Sequence, residues 1–145
     1  MFRLIAAVLL LALAGCSQST TVAMAPPGQD TAGKQFGPPP AGMGAVYFYN
    51  PAAASPLLYT SVDGLYIGQL GTQTWMRAEF NAGHHVLRCR GGNSGNALWM
   101  NVAPGDMRFV GVQMLPGQYI CSIRETDPGT GRAGVLSGSR ALQGR

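Results

Sequence analysis

From Ala45 onward, apolar and polar positions alternate in short runs broken by turn residues about every eight to twelve positions, the pattern of an all-β sandwich or barrel. The runs AVYFYN (45–50), LLYTSV (57–62), LYIGQL (65–70) and TWMRAEF (74–80) are followed by HHVLRCR (84–90), ALWMNV (97–102), MRFVGVQM (107–114) and QYICSI (118–123). Their aromatic and β-branched residues suit a pleated, half-buried surface. Between them stand turn signals: Asp63-Gly64, Asn81-Ala82-Gly83, the glycine-rich GGNSGN (91–96), Pro104-Gly105-Asp106 and Pro116-Gly117. Asp-Gly between two apolar runs is a strong mark of a tight hairpin. DPGTGRAG (127–134) reads as a loop before a last candidate strand, VLSGS (135–139). Little helix is expected after residue 44, because no window combines a 3.6-residue apolar period with caps. The expectation is a small all-β sandwich of about seven to nine short antiparallel strands spanning residues 44–145.

The amino terminus follows a different pattern. Arg3 precedes an unbroken apolar stretch, Leu4 to Ala14, and the small residues Ala14 and Gly15 close it. Charge, apolar core and small residues in that order mark a secretory signal peptide, here a signal helix within residues 1–15. The stretch is too short to span a bilayer, which takes roughly 20 apolar residues.

Leu13-Ala14-Gly15-Cys16 then resembles the lipobox of bacterial lipoproteins. The resemblance implies that Cys16 is lipidated and becomes the first residue of the mature chain. Ser17 is not the aspartate that retains such proteins at the inner membrane of enteric bacteria. The expected location is therefore the cell envelope, anchored to the outer membrane and facing the periplasm, with exposure on the outer leaflet as the alternative.

Setting Cys16 aside leaves two cysteines. Leu87 and Cys89 share one strand face, and Tyr119, Cys121 and Ile123 share another, so both thiols ride with apolar neighbours and point inward. In an oxidising compartment a Cys89–Cys121 disulfide is the expected state, two buried thiols being the alternative.

Residues 16–43 are rich in Ser, Thr, Ala, Pro and Gly, including MAPPGQD and FGPPPAGMG. Such composition favours extended chain without a core of its own, and the segment reads as a disordered linker, with Phe36 a loose aromatic in the tether or, as the alternative, docked on the domain. Removing residues 1–15 takes away Arg3 alone and leaves nine basic residues against six acidic, a net charge of about +3. The arginines are dispersed along the chain, and no basic patch or module for nucleic acid is present.

The run from Val62 to Arg88, VDGLYIGQLGTQTWMRAEFNAGHHVLR, with GAVYFYN upstream, resembles the DUF2846 group of bacterial lipoproteins. It is also similar to the PEGA repeat, a β-sandwich surface module. The resemblance covers about Ala45 to Leu142 and implies a small β domain; it transfers no catalytic residues. The long Gly/Ser/Asn loop around Gly92 to Gly95 departs from that pattern.

Candidate chemistry is sparse. His84 and His85 are adjacent on a strand, so they point to opposite faces and are poorly placed to chelate one metal. No metal or cofactor is expected. GGNSGN lacks the glycine spacing and strand-to-helix setting of a nucleophile elbow, and it lacks the Lys of a phosphate-binding loop; it reads as a flexible loop. Asp63 and Asp106 belong to turns, Glu79 has Arg77 on its own face, and Glu125 with Asp127 suits a solvated turn better than a calcium loop. Trp75, Trp99, Tyr47, Tyr49 and Tyr66 read as core aromatics or, as the alternative, as a platform for glycan or peptide, and Trp75 with Arg77 on one strand face is the best candidate binding surface. A non-catalytic binding or structural role is expected, toward an envelope protein or peptidoglycan. The alternatives are a subunit or inhibitor-like partner of a secretion or toxin system, and an atypical envelope hydrolase.

Overall fold

In the computed structural model, which describes residues 21–92 and 94–144, Asp63 and Gly64 both take positive φ, 50° and 82°. That geometry matches the right-handed twist of the strands they join, and only a residue pair tolerant of left-handed backbone adopts it cheaply. The hairpin it closes belongs to a two-sheet sandwich. The strands are β1 (Met43–Asn50), β2 (Leu58–Val62), β3 (Leu65–Leu70), β4 (Thr74–Asn81), β5 (Gly83–Arg90), β6 (Ser94–Gly95), β7 (Ala97–Val102), β8 (Met107–Leu115), β9 (Ile120–Thr126) and β10 (Ser139–Arg140). One sheet has the order β10-β4-β1-β8-β9-β6 and the other β3-β2-β5-β7. The all-β sandwich expected from the alternation is therefore the fold. Its sheets are not wholly antiparallel: β1 with β8, β4 with β10 and β6 with β9 run parallel.

The main core lies between the sheets. Val46, Phe48, Met76, Val110, Val112 and Ile123 from the larger sheet meet Leu58, Leu70, Leu87, Met100 and Val102 from the smaller one. Cys89 on β5 and Cys121 on β9 face each other across this layer and are disulfide-bonded, with Cα atoms 5.9 Å apart. The inward phase expected for both cysteines holds. The bond staples one sheet to the other and, in the chain-entropy view, contributes roughly 3–4 kcal/mol for a loop of this length.

The larger sheet is buried on its second face as well. β1 is buried along seven of its eight residues, so Tyr47 and Tyr49, which point away from the main core, are as enclosed as Val46 and Phe48. Tyr47, Tyr49, Trp75, Phe109 and Val135 form a second cluster, joined by Phe36 and Met107. Two pieces of chain cover it: a short helix α1 (Pro27–Gly33) with the residues around it, and a helix α2 (Pro128–Ser137).

Both coverings correct the sequence reading. Residues 21–42 are not a disordered linker. Val22 packs on the main core, Met24 bridges to Ala141, and Phe36 lies 5.3 Å from the ring of Tyr47. A composition that cannot build a core of its own is ordered here by an apolar face already waiting for it. DPGTGRAG with VLS is likewise a helix, and only Ser139–Arg140 remains strand. Asp127 caps it by accepting the Thr130 amide at 2.9 Å, and Pro128 occupies the first turn where no amide donor is needed. Its glycines conceal it from a propensity argument but let it approach: a Cβ at Gly131 would strike Phe109, and one at Gly134 would strike Tyr49. The expected signal segment 1–15 and the lipidation residue Cys16 lie outside the described residues. Among the described residues no helix is long and apolar enough to cross a membrane.

Candidate functional site

Trp75 and Arg77 share a face of β4, as strand phase requires, but that face is not a surface. Trp75 is fully buried, and its indole Nε1 donates to Asp30 Oδ1 at 3.1 Å. The Arg77 side chain is 12% exposed and is held by Glu79 at 2.7 Å and by the Tyr47 hydroxyl at 3.2 Å. Alternation told which residues share a face but not whether solvent or more chain lies beyond it. The candidate binding surface at Trp75 and Arg77 is thus corrected to a covered aromatic layer. Asp30 is its clasp: it also accepts the Arg140 amide at 2.7 Å and pairs with Lys34 at 2.8 Å. Burial alone would raise the Asp30 carboxyl, but the hydrogen bonds from Lys34, the Arg140 amide and Trp75, with the Lys34 charge, hold it below the usual range.

The exposed counterpart lies on the outer face of the four-stranded sheet. Pairing of β2 with β5 sets Tyr59 opposite Arg90 and Ser61 opposite Arg88, while Tyr66 of β3 sits opposite Ser61. Across β5, Trp99 of β7 stands opposite Val86. Tyr59, Tyr66 and Trp99 are 41%, 50% and 72% exposed. The Arg90 guanidinium lies 5.8 Å from the Tyr59 ring centroid, within cation–π range. Tyr59, Tyr66, Arg88, Arg90 and Asn96 line a shallow cleft of about 400 Å³. No Asp or Glu occurs in β2, β3, β5 or β7, and neither arginine has an acidic partner among the described residues. Two uncompensated guanidinium groups between phenol rings suit a ligand with carboxylate or phosphate groups beside flat or ring-shaped apolar parts.

Ser94, Gly95 and Asn96 of GGNSGN edge this cleft, and Asn96 is pinned rather than free. Asn96 clamps the Ile123 backbone, accepting its amide at 2.7 Å and donating to its carbonyl at 3.3 Å. Ser94 sits in the two-residue strand β6, not in a strand-to-helix turn. Tyr59 was missed from the sequence because only the register of β2 with β5 sets it beside Arg90.

The remaining titratable groups are tied to the fold. His84 is exposed and His85 points the opposite way, against Phe80 at 4.6 Å between centroids. His85 Nδ1 meets Asp63 Oδ2 at 2.6 Å and Nε2 meets the Asn81 carbonyl at 2.7 Å. Both partners are acceptors, so both ring nitrogens donate, which is the imidazolium form. Burial opposes that charge, but the hydrogen bonds to Asp63 and Asn81 and the Asp63 charge outweigh it and raise the His85 pKa. Asp63 is lowered by the Val86 amide and by His85. Asp106 accepts the Ala103 amide at 2.9 Å, Glu125 pairs with Arg108, and Asp127 caps α2. All six carboxylates therefore hold turns, caps or ion pairs. Among the described residues no group of three or more His, Cys, Asp or Glu is placed to hold a metal ion. No protein-family model matches the chain, and a search of curated proteins also finds no match.

Proposed function

We propose that the chain is a cell-envelope lipoprotein of the DUF2846-like kind, anchored through Cys16 to the outer membrane and facing the periplasm, whose sandwich binds rather than catalyses. The anchor rests on Leu13-Ala14-Gly15-Cys16 after an apolar core. The observation that carries the binding role is the outer face of the four-stranded sheet, where Arg88 and Arg90 stand without carboxylate partners between Tyr59 and Tyr66. A carboxylate-bearing envelope polymer, peptidoglycan above all, offers acid groups for the arginines and sugar rings for the aromatics. The engagement of every carboxylate in structure supports binding over general acid–base chemistry.

Two measurements test this. A Cys16→Ser variant leaves the membrane fraction if Cys16 carries the lipid; retention there refutes the anchor. An Arg88→Ala/Arg90→Ala variant loses cosedimentation with purified peptidoglycan while keeping its fold; unchanged cosedimentation refutes the assigned face.

One observation favours the second reading, a partner subunit in a secretion or toxin assembly. β7 ends its sheet and pairs only with β5, so its outer backbone edge is open to an added strand, apart from the Asn101 carbonyl, which accepts from Arg108 at 3.3 Å. Capture of a periplasmic protein by a photo-crosslinker at Trp99, in place of peptidoglycan binding, selects that reading.

A further inference from the structure

The two ends of the sandwich differ in charge. At one end lie the segments 51–57, 71–73, 91–92 with 94–96, 116–119 and 136–139. They join in two groups: Ser55 donates its amide to Thr72 Oγ1, Gln73 to the Ala52 carbonyl and Ser139 to the Gln73 carbonyl, while Gly92 bridges Ile120 and lies against Tyr119. Their sequences, PAAASPL, GTQ, GGNSGN, PGQY and LSGS, contain no Asp, Glu, Lys, Arg or His, while Arg90 and Arg140 flank them, the Arg140 amide held by Asp30. Tyr119 is 73% exposed at this end and Leu136 55%. The opposite end carries Asp63, His85, Asp106, Arg108, Glu125 and Asp127.

The amino-terminal chain enters at the uncharged end. Thr21, Val22 and Met24 line one shallow pocket with Gly71, Thr72 and Thr74. Only residues 17–20 separate Thr21 from Cys16. At about 3.3–3.6 Å per residue a fully extended chain from Cys16 to Thr21 reaches roughly 17 Å. The sandwich is longer than that: β8 alone, with nine residues, spans about 30 Å at roughly 3.3 Å each. A domain held by so short a leash cannot turn its charged end to the membrane, because Thr21 would then stand beyond reach of Cys16.

We propose that the uncharged end of the sandwich is a membrane-seating surface that rests on the lipid headgroups, with Tyr119 and Leu136 at the interface. The inference rests on the Cys16 anchor proposed above. Loops without charge lose little on leaving water for that interface, and a tyrosine places its ring and hydroxyl well there. The aromatic cleft at Tyr59 and Arg90 then opens sideways, within a short distance of the bilayer, where the envelope polymer nearest the membrane is met.

The test uses the full lipidated protein in vesicles of phosphatidylethanolamine and phosphatidylglycerol. Ala53→Cys and Pro104→Cys variants carry a bimane fluorophore at opposite ends, and the vesicles carry a nitroxide on the lipid headgroup. Quenching several-fold stronger at position 53 than at 104 is expected. Acylated, vesicle-bound protein quenched equally at both positions, or more at 104, overturns the seating and leaves the anchor standing. An amino-terminal peptide whose mass shows no acyl chain, with the protein left in the supernatant, overturns the anchor and the seating with it.

Discussion

Trp75 and Trp99 sit on strands of different sheets, on opposite sides of the molecule, the first fully buried and the second 72% exposed. Both faces they belong to combine aromatic rings with arginine. On the larger sheet, Tyr47, Tyr49, Trp75 and Phe109 are roofed by α1, Phe36 and α2, and Arg132 closes over Phe36 at 4.8 Å. On the smaller sheet, Tyr59, Tyr66 and Trp99 stay 41%, 50% and 72% exposed, with only Gly144 of the carboxy-terminal chain set against Tyr66. The difference is one of partners supplied by the chain: flanking segments with small residues and one carboxylate clasp turn an aromatic sheet face into core. Where no such segment passes, a similar face is left for something else to cover.

Substitution separates the two faces most sharply at the tryptophans. Trp75→Ala removes a large buried side chain and is expected to cost about 3–5 kcal/mol, whereas Trp99→Ala stays within about 0.5 kcal/mol. Equilibrium denaturation of both variants reads this directly, and equal losses would erase the distinction. Next in size is the staple beneath both faces. A Cys89→Ala/Cys121→Ala variant is expected to lose about 2–5 kcal/mol, and an unchanged midpoint would deny the disulfide its role.

Asp30→Ala tests the roof alone. It leaves the Trp75 indole and the Arg140 amide without their acceptor, for about 1–3 kcal/mol, and is expected to speed hydrogen exchange at residues 27–36 before that of β1. Because the Asp30 carboxyl is lowered, its contribution is present above its unfolded pKa and fades as pH falls through the folded value. Acid should therefore loosen the roof first.

The smallest effect belongs to His85, at the charged end. Its pKa is raised, so its contribution is complete below the unfolded value near 6.5 and is lost as pH rises through the folded one. Melting temperature should drop on going from mildly acid to mildly alkaline pH, and an Asp63→Asn variant should flatten that drop. A variant with the full dependence would remove Asp63 from the explanation.

The open face and the sandwich were partly legible in the sequence, the roof was not. Strand alternation gives side-chain phase, and phase placed Cys89 and Cys121 inward and Trp75 beside Arg77. It cannot say how many layers the molecule has, because a strand apolar on one side and aromatic on the other fits a central strand and a surface strand alike. The roof escaped for a second reason. Its ordering comes from contacts made far along the chain, Asp30 to Arg140 and Phe36 to Phe109, which leave no local period. The α2 start was readable, since Asp127-Pro128 is a cap followed by a first-turn proline, but three glycines hid it from a propensity argument. Exposure of Trp99 and the pairing of Tyr59 with Arg90 needed register, which alternation alone leaves open.

Hydroxyl-radical footprinting of the purified protein and of the same chain in its native envelope tests the contrast between covered and open faces most directly. Tyr59, Tyr66 and Trp99 should be oxidised in the purified protein and protected in the envelope, with Trp75 and Tyr47 protected in both. Equal oxidation of Tyr59, Tyr66 and Trp99 in the two settings would contradict the account, since the open face would then meet nothing where the protein works.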